Sequence, residues 1–133
     1  MLRKQISRFP SWIFTILTVA LIFWLTLAPD PLGDEDIPLF PGADKLVHAI
    51  MFGFLTTMIL LDRQRATGWR LLGKRFIWLS AAASAMLGIG VEFAQLLMEM
   101  GRGFEITDMA ADTAGAFLCA LLFKTLQHHW ALP

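Results

Sequence analysis

Four stretches of this chain are dominated by apolar residues, and ionisable residues interrupt three of them. The first, WIFTILTVALIFWLTLA from Trp12 to Ala28, carries no charge over 17 residues, which is the lower end of what spans a bilayer as a helix. The second runs from Leu46 to Leu61 and starts within DKLVH, which holds Asp44, Lys45 and His48. A third extends from Phe76 through Met100 with Glu92, Gln95 and Glu99 embedded, and a fourth from Thr107 to Thr125 contains Asp112. These lengths predict an all-α fold: an integral membrane bundle of four transmembrane helices, with spans at about 12–28, 44–61, 76–100 and 107–125 in one domain of residues 1–133.

Composition supports the membrane class. The chain has 133 residues, 56% of them hydrophobic, where an ordinary globular domain has about 45–50%; its mean hydropathy is +0.60. Arg3, Lys4 and Arg8 before the first apolar stretch, and TLA before Pro29, resemble a cleaved signal peptide. The apolar run is longer than such peptides use and is framed by Trp12 and Trp24, which favours a retained span. With 11 Lys and Arg against 11 Asp and Glu and no basic tract mixed with aromatics, nucleic-acid binding is excluded. The single Cys119 has no internal disulfide partner and is read as a packing residue.

Charge also sets direction. Arg63, Arg65, Arg70, Lys74 and Arg75 join the second and third segments, whereas the connection from Pro29 to Ala43 holds Asp30, Asp34, Glu35 and Asp36 with no basic residue. The positive-inside rule then places both termini and the basic connection in the cytoplasm and the acidic, proline-rich connection outside. Helical rise puts His48 about 6 Å inward from Asp44. Glu92 lies about 24 Å past Phe76 in a core about 30 Å thick, and Asp112 about 6 Å past Asp108. All three therefore share one level in the outer leaflet. Residues three or four apart share a helix face, so Asp44 with His48, Gly88 with Glu92, Gln95 and Glu99, and Asp108 with Asp112 and Gly115 form three stripes. Burial of ionisable groups costs least if the stripes face one another, with Lys45 and Arg102 at the rim. The plainer alternatives are an interfacial helix start at Asp44 and Lys45, an N-terminal cap at Thr107 and Asp108, and solvation of Glu99 and Glu105.

The motifs DKLVH, EFAQ and GRGFEITDMAADTAGA resemble the VanZ-like family of small bacterial membrane proteins over about residues 44–123. The matching positions are Asp44, Lys45, His48, Glu92, Gln95, Arg102, Asp108, Asp112 and Gly115. This sequence departs from the family pattern at Asp112, where asparagine is usual, and at Cys119, where a second glycine is frequent. The resemblance implies a multi-pass protein of the bacterial inner (plasma) membrane and a family link, through its namesake, to glycopeptide resistance of the teicoplanin type. It implies no reaction.

Three functions fit these residues. The polar site binds or modifies an envelope- or lipid-linked ligand, with Glu92 and His48 as candidate acid and base and Asp44, Lys45, Gln95, Arg102, Asp108 and Asp112 as candidate ligand-binding residues. It binds such a ligand without catalysis, or its charges serve membrane assembly or transport. A hard divalent ion would suit His48 with Glu92, Asp108 and Asp112 better than zinc. Carboxylates beside Lys or Arg are more often salt bridges, so no metal or cofactor is expected. Whether the protein is an enzyme stays open. Expected partners are membrane lipids, with a lipid-linked or anionic envelope ligand and a second copy or another membrane protein as candidates.

Overall fold

The computed structural model describes residues 5–6, 8–28, 40–98 and 104–132. They form four helices: α1 (Ile13–Leu27), α2 (Ala43–Ala66), α3 (Lys74–Leu97) and α4 (Ile106–Leu126), the last running into a 3-10 turn, Gln127–His129. No strand occurs among the described residues. Three helical stretches of 24 residues, Ala43–Ala66, Lys74–Leu97 and Ile106–His129, are long and apolar enough to cross a membrane, while α1 is shorter at 15 residues. Most of the acidic connection after α1 lies outside the described residues.

Polarity is arranged inside out relative to a water-soluble bundle. Asp62, Gln64, Thr56, Ser84, Glu92 and Asp112 are fully buried or nearly so, whereas Ile16, Phe54, Met86 and Leu97 are exposed. Apolar exterior surface on this scale fits lipid contact, and the buried polar groups then require partners from within the protein. The apolar interior divides into two clusters. One packs Leu60, Ile77, Ala116, Ala120 and Phe123; the other packs Ile22, Phe52, Leu55 and Val91.

The most extensive helix pairing is between α2 and α4. Its cause is glycine. A Cβ placed on Gly115 would lie 2.0 Å from the carbonyl oxygen of Ala49, and one on Gly53 would lie 2.7 Å from Cys119 Sγ. Backbones therefore touch here, as small residues permit between membrane helices. The sulfur of Cys119 sits over Gly53, in keeping with a packing role.

The apolar run of the second segment ends at Leu61, yet α2 continues to Ala66. Asp62, Gln64 and Arg65 stay buried in this extra turn because tertiary partners meet them, with only Arg65 Nε left unpaired among the described residues. Asp62 Oδ2 accepts from the backbone nitrogen and the hydroxyl of Thr15 at 2.8 and 2.9 Å, which fixes α1 against α2. Arg65 Nη1 donates to Asp62 Oδ1, and Nη2 donates to the carbonyls of Ile6 and Phe9 at 2.8 and 3.0 Å. Its guanidinium also lies 4.5 Å from the centroid of the Phe14 ring, a cation–π geometry. Gln64 accepts from Trp130 Nε1 at 2.8 Å, and Gln127 bonds Leu72 through both its amide oxygen and nitrogen. The turn after α4 is thereby fastened to the α2–α3 connection.

Gly115→Ala is expected to destabilise the bundle by at least about 1–3 kcal/mol, since two backbones must separate. Gly90→Ala, where an added Cβ meets nothing within 4 Å, is expected to be neutral or stabilising by up to about 1 kcal/mol. Thermal unfolding of both variants in detergent checks the contrast. Asp62→Ala strands the Arg65 charge in the interior and is expected to cost about 3–5 kcal/mol; an unfolding midpoint equal to that of the wild type would contradict this account.

Candidate functional site

At the opposite end of α2 from Asp62, polar side chains from three helices converge. α2 starts behind Gly42, whose φ of 83° suits glycine, and its first turns carry Asp44, Lys45 and His48. Lys45 Nζ contacts Asp44 Oδ2 at 2.8 Å, Glu105 Oε2 at 2.8 Å and Asp108 Oδ1 at 3.1 Å. An ammonium has three donors, so all of them are engaged. One turn further along α2, His48 Nδ1 lies 2.9 Å from Asp112 Oδ1, and Nε2 lies 3.9 Å from Asp108 Oδ2. The approach of Gly115 to Ala49 makes this pairing between α2 and α4 feasible.

α3 supplies Glu92, which is 1% exposed. Its Oε2 accepts the backbone N–H of Glu105 at 3.2 Å. Its Oε1 has no hydrogen-bond partner among the described residues, and neither has Asp112 Oδ2. Asp112 lies directly against Gly88, where a Cβ would come within 2.6 Å of Oδ2. Gly88 thus makes room for the carboxylate. Ser84, one helical turn before Gly88 on the same face of α3, also has a buried hydroxyl oxygen without a partner. A buried acceptor left unpaired costs about 1–3 kcal/mol, and more when charged, so the free oxygens of Glu92 and Asp112 are a cost that packing alone does not offset.

The structure brings together Asp44, Lys45, His48, Glu92, Asp108 and Asp112. Gln95 is placed differently: its Nε2 donates to the carbonyl of Thr26 at 2.8 Å and ties α3 to the end of α1. Arg102 and Glu99 lie outside the described residues. One local reading is corrected. α4 begins at Ile106 with Glu105 as its capping residue and no side-chain cap bond, so Thr107 is not the cap. Its hydroxyl donates instead to Glu105 Oε2 at 3.1 Å. Glu105 in turn is a member of the cluster through Lys45 and through its backbone bond to Glu92, although its side chain is half exposed. It precedes α4 in extended backbone, so helical spacing gives no signal for it.

The electrostatic balance is uneven. Five carboxylates, Asp44, Glu92, Glu105, Asp108 and Asp112, face at most two positive charges among the described residues, Lys45 and a protonated His48. At the rim, the hydrogen bonds from Lys45 and then from Thr107 hold the Glu105 carboxyl below its ordinary value. Deeper, the site presents free acceptor oxygens next to an imidazole in a water-poor setting. Such a set can bind a group that donates hydrogen bonds or carries positive charge, and His48 is placed to take up or release a proton. Away from this cluster, a cleft of about 440 Å³ opens between Arg63, Thr67, Arg70 and Phe76 at the other end of α2.

The all-helical bundle with membrane-length helices and the convergence of DKLVH with the Glu92 and Asp108–Asp112 stripes define a small helical membrane domain with an internal polar site. The chain belongs to the VanZ/LLP1 family, whose profile matches residues 6–127. Comparison with curated proteins and with solved structures gave no match.

A lowered Glu105 pKa means that its pairing stabilises the fold above the ordinary glutamate value and that the contribution disappears as pH falls through the lowered one. The gap in unfolding temperature between wild type and Glu105→Gln is therefore expected to be largest near about pH 6 and to close toward about pH 3. A gap that widens on acidification contradicts this.

Proposed function

We propose that the protein binds, or binds and modifies, the polar group of an envelope- or lipid-linked ligand at the cluster around His48, facing the outer side of a bacterial inner membrane with both termini in the cytoplasm. The carrying observation is the pair of buried carboxylates, Glu92 and Asp112, each with an oxygen that no group among the described residues satisfies. A carboxylate at this depth is costly, and an open acceptor beside an imidazole has a use only when something else arrives. Orientation rests on the Arg and Lys residues between α2 and α3. Because Lys45 is already engaged by three carboxylates, the incoming group has to bring donors, positive charge or a counter-ion of its own.

If ligand modification occurs, His48 held by Asp112 is the group to move a proton, and Glu92 is the second. The family link to teicoplanin-type resistance bears on this chain only as a choice of assay. The alternative, that the charges are scaffolding in an assembly or transport component, is favoured by Lys45 alone, whose bonds to Asp44, Glu105 and Asp108 join the start of α2 to the start of α4.

Glu92→Gln separates the two. It keeps the size of the side chain and an acceptor for the Glu105 N–H, so the helical bundle is expected to form with unchanged helicity and gel-filtration profile. Complementation of a deletion strain, read as tolerance of envelope-acting compounds including glycopeptides, is expected to fail. Full complementation by the folded variant overturns the proposal.

A further inference from the structure

We propose that His48, Glu92 and Asp108 hold one divalent cation, with Asp112 as the residue that orients His48. The inference builds on the reading of this cluster as the functional site and names what completes it. One ligand atom from each of the three residues lies within 4.8 Å of the other two. Ligands about 2.1 Å from one ion sit about 3 Å apart when adjacent and about 4.2 Å apart when opposite. A small contraction of side chains is enough to close the set.

Three independent features point to an ion rather than to a network of salt bridges. Glu92 is 1% exposed, its Oε2 is taken by the Glu105 N–H, and Oε1 is left with no partner among the described residues. The two nitrogens of His48 are used differently. Nδ1 is at hydrogen-bonding distance from Asp112 Oδ1, whereas Nε2 stands 3.9 Å from Asp108 Oδ2. That separation is too long for a hydrogen bond and suits two ligands of one ion. With the proton on Nδ1, the ring presents its Nε2 lone pair to the interior, the carboxylate–histidine–metal arrangement by which proteins fix a metal-binding imidazole. Finally, Asp108 divides its oxygens: Oδ1 accepts from Lys45 at 3.1 Å, and Oδ2 faces His48. A second acidic grouping, Asp44 with Glu105 and Asp108, already has the Lys45 ammonium among its oxygens and takes no ion.

One imidazole with two carboxylates suits a hard to borderline ion, and Mn²⁺ matches this donor set better than Zn²⁺ with its preference for nitrogen and sulfur. Three protein ligands leave coordination positions for water or for an anionic oxygen of the ligand, and His48, with Nε2 on the ion, then serves as a ligand and not as the group that moves a proton. A phosphate-bearing headgroup would then be recognised through the ion, which supplies the positive charge that Lys45 has committed elsewhere.

The test uses the full chain purified in detergent, stripped with EDTA and titrated with Mn²⁺, with free ion followed by electron paramagnetic resonance. One ion per chain is expected. Glu92→Gln and His48→Gln are each expected to weaken binding at least tenfold, and Asp112→Asn by about 10–100-fold as an orienting residue. Lys124→Gln, at the other end of α4, is expected to bind like the wild type. Helicity and gel filtration verify each fold, and Glu92→Asp, expected to weaken binding as well, stands in if the glutamine variant does not assemble. Absence of saturable Mn²⁺ binding up to about 1 mM, a free energy of only about 4 kcal/mol, overturns the proposal, as does equal binding by wild type and folded His48→Gln. Loss of complementation in Glu92→Gln cells, with no Mn²⁺ bound by the wild type, removes the ion and keeps the ligand site. Saturable Mn²⁺ binding, with full complementation by Glu92→Gln, keeps the ion and removes the ligand reading.

Discussion

Gly115 stands so close to Ala49 that no other residue fits without moving a helix. From that contact the rest of the polar site follows. It sets the separation of α2 and α4 one residue after His48 and one turn after Asp112, so imidazole and carboxylate meet at 2.9 Å. It also draws the starts of both helices together, where Lys45 is within reach of Glu105 and Asp108. A larger side chain at this point would part the charges by ångströms. In a medium that gives unpaired ions little solvation, such a displacement is far more costly than a lost methylene contact.

The bundle is fastened at two levels by different chemistry. Where the start of α1 meets the end of α2, Asp62, Arg65 and Thr15 form a set in which the two charges pair with each other, although Arg65 Nε has no partner among the described residues. Among the described residues of the His48 group, the acids outnumber the bases and acceptor oxygens are left over. A balanced cluster has done its work once the chain is folded. An unbalanced one is still drawing charge, which is why the second and not the first is read as functional.

Much of this was legible from spacing. The polar stripes on α2, α3 and α4 could be aligned in depth by helical rise alone, because each segment is long and nearly all its polar positions are informative. Six residues of the expected set meet as a result. What escaped depended on features that periodicity does not encode. Glu105 lies before the helix starts, so its position follows from how the chain turns into α4. Gln95 shares the face of Glu92, but a glutamine reaches either way, and the carbonyl of Thr26 on α1 claimed its amide. Asp62 ends an apolar run and reads as the edge of the membrane. Only the tertiary contact with Thr15 shows it to be interior. Ser84 carries no charge and drew no notice for that reason.

α1 is held near both of its ends, by Asp62 at Thr15 and by Gln95 at Thr26. Its 15 residues rise about 22 Å, several ångströms less than a hydrocarbon layer of about 30 Å. A free helix of that length could shift or rock to suit the surrounding lipid; one tied at two levels cannot. Were α1 to cross a bilayer, the lipid would have to do the adapting, by thinning beside it at a cost of fractions of a kcal/mol per ångström. Hydrophobic mismatch would then lie along one flank of the bundle, and acyl-chain length would be a variable to which its stability responds.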